Sequence, residues 1–196
     1  AEHRELAEPN TVLLCVVGST VHGLAVGAQD DRDEMGICVE PWAHFFGLRP
    51  TFEQWTWRTK PEGARSGPGD LDLVIYSLAK WARLAIGGNP TILTLLFVPE
   101  QQVIAADVTG CTLRAMAPLF IGDNIFGPYL GYMRQQRHRL MNKVKMPSRP
   151  ELVEAYGYDT KYAGHLLRLG YQGIELAETG RMTLPMAEPA RSRIID

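Results

Sequence analysis

The stretch LLCVVGSTVHGLAVGAQDDRDEMGICVE, residues 13–40, decides how the rest of the chain is read. An apolar run, Leu13 to Val17, stops at Gly18-Ser19. A glycine-punctuated segment follows, then the dense acids Asp30, Asp31, Asp33 and Glu34, then a second apolar run. Short apolar runs with β-branched residues, bounded by turn residues, read as buried strands. Thr11 to Val17 and Glu34 to Val39 are predicted as two of them. Negative charge crowded between two buried strands needs a physical reason.

One reason is a solvated, merely polar turn, since aspartate favours turns. The spacing supplies another. Asp31 and Asp33 are two apart on an incipient strand, so their side chains share a face and can hold one cation together. Adjacent anions on one face repel unless a cation joins them, and an all-oxygen pair suits Mg²⁺ or Mn²⁺ rather than zinc. Magnesium held by carboxylates commonly serves phosphates. A strand ending in Gly18-Ser19 before a short helical turn offers backbone N–H groups and a hydroxyl to such an anion. Neither half is specific alone; the order strand, Gly-Ser, spacer, Asp-x-Asp, strand is much more so.

Further along, TFEQWTWR (51–58) reads as a less buried strand, and the Gly/Pro-rich residues 60–70 as a surface loop. LDLVIY (71–76) returns as a strand, and Ser77 is placed to cap a helix through LAKWARLAIGG. Gly87-Gly88-Asn89-Pro90 ends that helix, and Pro90 opens the next, TILTLLF. Beyond about residue 106 the period becomes helical, with little strand signal before RMTLP, and KVKMPSRPE (143–151) reads as a linker. Residues 1–105 read as α/β or α+β, a small mixed sheet of the α+β kind being expected, and 106–196 as a helical region.

The bulk composition is neutral on partners. The chain has 196 residues, 45% hydrophobic and 21% charged, with a formal net charge of −2, so no global basic field announces a nucleic acid. Its three cysteines, Cys15, Cys38 and Cys111, are odd in number and fit no common zinc spacing. They read as small buried hydrophobes in a reducing compartment. No apolar run is long enough to span a membrane, and the charged start AEHRELAEPN is unlike a signal peptide. A cytoplasmic protein is the expectation.

These motifs resemble the nucleotidyltransferases of the DNA polymerase beta superfamily, and most of all the RNA repair pathway DNA polymerase beta family. GSTVHG stands for that family's Gly-Ser-x-x-x-Gly and DRDEMG for its Asp-x-Asp-x-x-Gly. DLVIYSLAKWARLAIGGNPTILTLLF and YDTKYAGHLLRLGYQGIELAETGRMTLP follow in the family's order, so the likeness covers most of the chain. Arg32 is a departure, since the family usually has an apolar residue between the two aspartates. Counting back from Gly36 favours Asp31 over Asp30 as the first metal ligand.

The resemblance implies a nucleotidyltransferase core in 1–105, with 106–196 closing the nucleotide cleft. It implies catalytic and metal-binding roles for Asp31, Asp33 and a third acid, Asp72 being preferred to Asp70, and Mg²⁺ or Mn²⁺ as cofactor. It implies nucleotide contacts from Gly18, Ser19, Lys161 and His165. Lys161, His165 and Arg168 fall at i, i+4 and i+7 and so share a helix face, which is otherwise a solvated basic stripe. The expected reaction moves a nucleoside monophosphate from an NTP to an acceptor hydroxyl, which the family name suggests is an RNA or tRNA. Arg134, Arg137, Arg139, Lys143 and Lys145 are candidates for a nucleic-acid backbone contact, or a plain solvated helix. His22 could contact phosphate or cap a turn, the second being expected, and Asn89 could be catalytic, though a place before proline at a helix junction explains it. The alternative function is a non-catalytic nucleotide-binding or toxin–antitoxin-type interaction module on the same fold.

Overall fold

A computed structural model describes residues 2–25, 31–61, 64, 67–142 and 149–195. Asp30, Lys143 and Lys145, each weighed above, lie outside the described residues. The fold is α+β. Strand β1 is Thr11–Val16, β2 Arg32–Cys38, β3 Gln54–Arg58, β4 Leu71–Ser77 and β5 Val103–Ala106. They form one mixed sheet in the order β3-β4-β2-β1-β5. β2 and β4 are parallel, and the other neighbouring pairs are antiparallel. β5, an edge strand with an exposed apolar Ile104, carries no clear sequence signal, and RMTLP forms no strand.

Helices α1 (Glu2–Ala7), α2 (Gly18–His22), α3 (Trp42–Phe45), α4 (Leu78–Ile86), α5 (Pro90–Phe97) and α6 (Val108–Ala115) are interleaved with the strands. α7 (Phe126–Asn142), α8 (Pro150–Tyr156), α9 (Thr160–Thr179) and α10 (Ala190–Ile195) follow. Side chains alternate across each strand, and the two faces of the sheet are covered differently. Met35 and Ile37 of β2, with Val74 and Tyr76 of β4, enter the main core with Trp81, Leu93, Leu95, Leu169 and Leu176. Cys38 and Ile75 point the other way, to a smaller core with Ala7 and Phe52. The two strand cysteines are buried, as expected, and burial pushes both thiols up to about 12. Cys111 is exposed.

Local chemistry explains the helix boundaries that matter for the site. Ser77 caps α4, its hydroxyl accepting from Lys80 N at 3.1 Å. Asn89 caps α5 by accepting from Thr91 N and Ile92 N, while its Nδ2 donates to the Tyr132 hydroxyl, so its role at the junction is structural. Asp159 caps α9 through Lys161 N at 3.1 Å. Gly170 and Gly173 let α9 lie close to α7, because a Cβ at Gly173 would sit 3.0 Å from the Tyr129 ring. None of the described helices is long and apolar enough to cross a membrane.

Candidate metal and nucleotide site

One row across the sheet builds the acidic part of the site. Asp33 of β2 is in register with Asp72 of β4, and Asp72 is in register with Arg58 of β3. Beside Asp33 runs the end of β1, where Val17 N donates to Asp33 O at 2.9 Å. Asp31 lies two residues before Asp33 and joins the same face. Ligand oxygens of Asp31, Asp33 and Asp72 all lie within 4.8 Å of one another, each side chain half-buried. Asp70 is elsewhere: it is buried, and its Oδ2 accepts from Gly67 N at 2.9 Å to close the preceding loop.

The dense acid run resolves into two faces. Arg32 and Glu34 point away from the aspartates and pair with each other at 2.6 Å. Arg32, the departure from the family pattern, therefore neutralises an acid on the opposite face and leaves the Asp31–Asp33 face open.

Gly18 is required by close approach. Its φ is +71°, a region that disfavours a side chain, and a Cβ there would fall 2.1 Å from Asp33 Oδ2. Gly-Ser after β1 is thus tied physically to the second aspartate of the pair. The donor set fits a hard divalent cation, being all oxygen. Two oxygens on opposite sides of one Mg²⁺ are ~4.2 Å apart, so the cluster is about one ion wide. Arg58 answers part of the negative charge, donating to both Asp72 oxygens at 2.8 and 2.7 Å. Nothing in the sequence singles Arg58 out; only the β3–β4 register reveals it.

A cluster of basic groups comes from α7, α9 and the residue before α8. Lys161 is exposed, whereas His165 and Arg168 on the same face of α9 are half-buried, so the stripe is not uniformly solvated. His22 does not cap a turn. It is buried at the end of α2, with Arg168 Nη1 donating to its Nε2 at 2.8 Å and the Gln172 amide 3.0 Å from its Nδ1. Arg168 Nη1 also donates to Gln172 Oε1 at 3.1 Å. A guanidinium can only donate, so the ring accepts at Nε2 and is neutral. Burial, then the neighbouring Arg168 and His165, hold His22 well below the usual histidine range. His165 is lowered to about 4, first by burial and then by Arg168, Lys161, Arg149 and Arg139. Arg134, Arg137 and Arg139 are exposed along α7.

A Gly-Ser turn, a sheet row and three converging aspartates form the arrangement implied by the polymerase beta class of nucleotidyltransferases. The chain belongs to the RNA repair pathway DNA polymerase beta family, which it matches over residues 1–194. No curated protein matches it. Among solved structures it is similar to a nucleotidyltransferase-like protein from Exiguobacterium sibiricum, at 13% identity and a TM-score of 0.36. That similarity covers 96% of this chain and 57% of the other, so the chain spans little more than half the length of that protein.

Proposed function

We propose that the protein is a metal-dependent nucleotidyltransferase that moves a nucleoside monophosphate from an NTP to an acceptor hydroxyl and releases pyrophosphate. The observation that carries this is the convergence of Asp31, Asp33 and Asp72 within 4.8 Å beside Gly18. Family membership supports it, and the family's name makes an RNA end the acceptor of choice. The division of labour is that residues 1–105 supply the catalytic core and 106–196 close over the nucleotide.

Asp31, Asp33 and Asp72 would hold Mg²⁺ or Mn²⁺, which when bound offsets phosphate charge and makes an acceptor hydroxyl easier to ionise. Ser19 and the Gly18 backbone orient the triphosphate, and Lys161 and His165 border it from α9. Asp72 serves the acceptor hydroxyl, with Arg58 fixing the plane of its carboxylate. Arg134 and Arg137, exposed on α7, would meet an acceptor backbone.

Incubation with labelled NTPs, Mg²⁺ and RNAs of defined ends tests the reading. The expected result is label on RNA in step with pyrophosphate release. Nucleotide binding without pyrophosphate release, with RNA, tRNA, protein and small-molecule acceptors alike, would leave the non-catalytic module as the function.

A further inference from the structure

Arg168 is, among the described residues, a cation that no carboxylate answers. Among the described residues its guanidinium meets only neutral groups, the His22 ring and the Gln172 amide, and its Nε is buried without a partner. Tyr129, also buried, approaches the same charge with a hydroxyl that has no partner. Burial pulls the guanidinium down to about 10, a sign of how poorly it is solvated. An isolated charge in such surroundings is costly to keep, and truncating its neighbours would not repay that cost.

The neighbours add to the imbalance. Lys161, Arg139 and Arg149 all act on His165, and among the described residues only Arg149 of these has an acid beside it, Asp159 at 3.5 Å. His22 is kept neutral and turned to accept from Arg168, which fixes the guanidinium against α2. α2 is the helix that begins at Gly18, where the Asp33 carboxylate packs. At 1.5 Å rise per residue, His22 is only ~6 Å along that helix from Gly18. The cationic cluster and the acidic cluster therefore flank one short helix.

We propose that Arg168, oriented by His22 and Gln172, is the metal-independent anchor for the polyphosphate chain, and that it holds the pyrophosphate end rather than the nucleoside. This rests on the nucleotidyltransferase reading for the identity of the anion. Guanidinium offers a planar fork that matches phosphate oxygens, and Nη2 carries no hydrogen bond among the described residues. A site that grips this end without metal also retains the leaving group, so pyrophosphate should inhibit turnover through Arg168.

The test is calorimetric titration of the full chain with inorganic tripolyphosphate in metal-depleted buffer. Binding by the wild type, weakened roughly tenfold to hundredfold in Arg168→Met and less in Arg168→Lys, is the expected result, since one charged contact to phosphate is lost. Equal binding by Arg168→Met, or no binding by the wild type, would overturn the assignment. Should Arg168→Met not fold, modification of Arg168 by phenylglyoxal in the wild type decides. Tripolyphosphate should protect the residue, and equal modification with and without it would count against the proposal. The underlying reading fails differently: NTP, Mg²⁺ and the acceptors named above would yield no pyrophosphate while tripolyphosphate still bound without metal.

Discussion

The two sides of the site are electrical opposites. On the rim of the sheet, Asp31, Asp33 and Asp72 gather three carboxylates, with the Arg58 fork on one of them. Across α2, Arg168, Lys161, Arg139 and Arg149 gather cations around two neutral histidines, with Asp159 the acid beside Arg149. Neither cluster is neutral on its own, although oppositely charged groups could have been paired directly. A ligand that brings a divalent cation to one side and a polyanion to the other completes both. A metal–polyphosphate complex has that composition.

The clusters should therefore separate in experiment, the acidic one governing chemistry and the basic one governing affinity. The largest effect is expected at Asp72, which on the proposed reading serves the acceptor hydroxyl. Asp72→Asn should lower kcat by roughly 10²–10⁴-fold with little change in nucleotide KM, the range typical of a lost acid–base or activating group. Steady-state kinetics with labelled NTP checks this, and near-normal turnover would remove Asp72 from the chemistry. The variant also weakens the pairing with Arg58, so Arg58→Gln is the companion: it should cost less than Asp72→Asn if Arg58 only positions the carboxylate.

Next comes the glycine that ties β1 to the acids. Gly18→Ala puts a methyl group where Asp33 Oδ2 now lies, in a backbone region that costs a non-glycine residue ~1–3 kcal/mol. Metal-dependent NTP binding should be lost and metal-free tripolyphosphate binding weakened far less, because the acidic cluster is displaced while Arg168 is untouched. Calorimetry with and without Mg²⁺ distinguishes the two, and retained metal dependence would mean Asp33 can move aside without loss.

On the basic side the expectation is the reverse. Lys161→Ala should raise nucleotide KM about tenfold to hundredfold and leave kcat near normal, since on the proposed reading this exposed lysine would hold the phosphates equally in ground and transition states. A fall in kcat at unchanged KM would transfer Lys161 to the chemical step and erase the contrast between the clusters.

The acidic cluster was far more legible in the sequence than the basic one, for a physical reason. Asp31 and Asp33 are neighbours in sequence, and a strand's alternation puts them on one face whatever else the chain does. Asp72 needed the further expectation that LDLVIY is a strand of the same sheet, and the family resemblance to prefer it to Asp70. Arg58 needed the β3–β4 register, which no local pattern specifies. The His22–Arg168 contact joins residues 146 positions apart, so it exists only once α9 has packed across α2. Helical spacing placed Lys161, His165 and Arg168 on one face but could not say that the end nearer Lys161 is exposed while Arg168 turns inward. β5 was missed because VIAA is too short to outweigh its helical surroundings.

The smallest effect concerns the histidines of the basic cluster and is read as stability. His165, at about 4 in the folded protein, sits below the ~6.5 of an unfolded histidine. The groups that face it are Arg168 and Lys161 on its own helix, Arg139 of α7, Arg149 before α8, and His22 of α2. Because the unfolded chain takes up the proton first, the folded state is at full advantage above pH ~6.5 and loses it as the pH falls toward 4. At pH 5 the loss for His165 alone is on the order of 2 kcal/mol, and His22, shifted the same way, adds to it. Urea unfolding between pH 7 and 5 should show this slope, and His165→Gln should reduce it. Tripolyphosphate should flatten it too, because an anion beside the ring favours the charged form that Arg168 and Lys161 now oppose. A slope that persists unchanged with tripolyphosphate bound would place the anion away from the histidines and sever the basic cluster from the ligand that is meant to complete it.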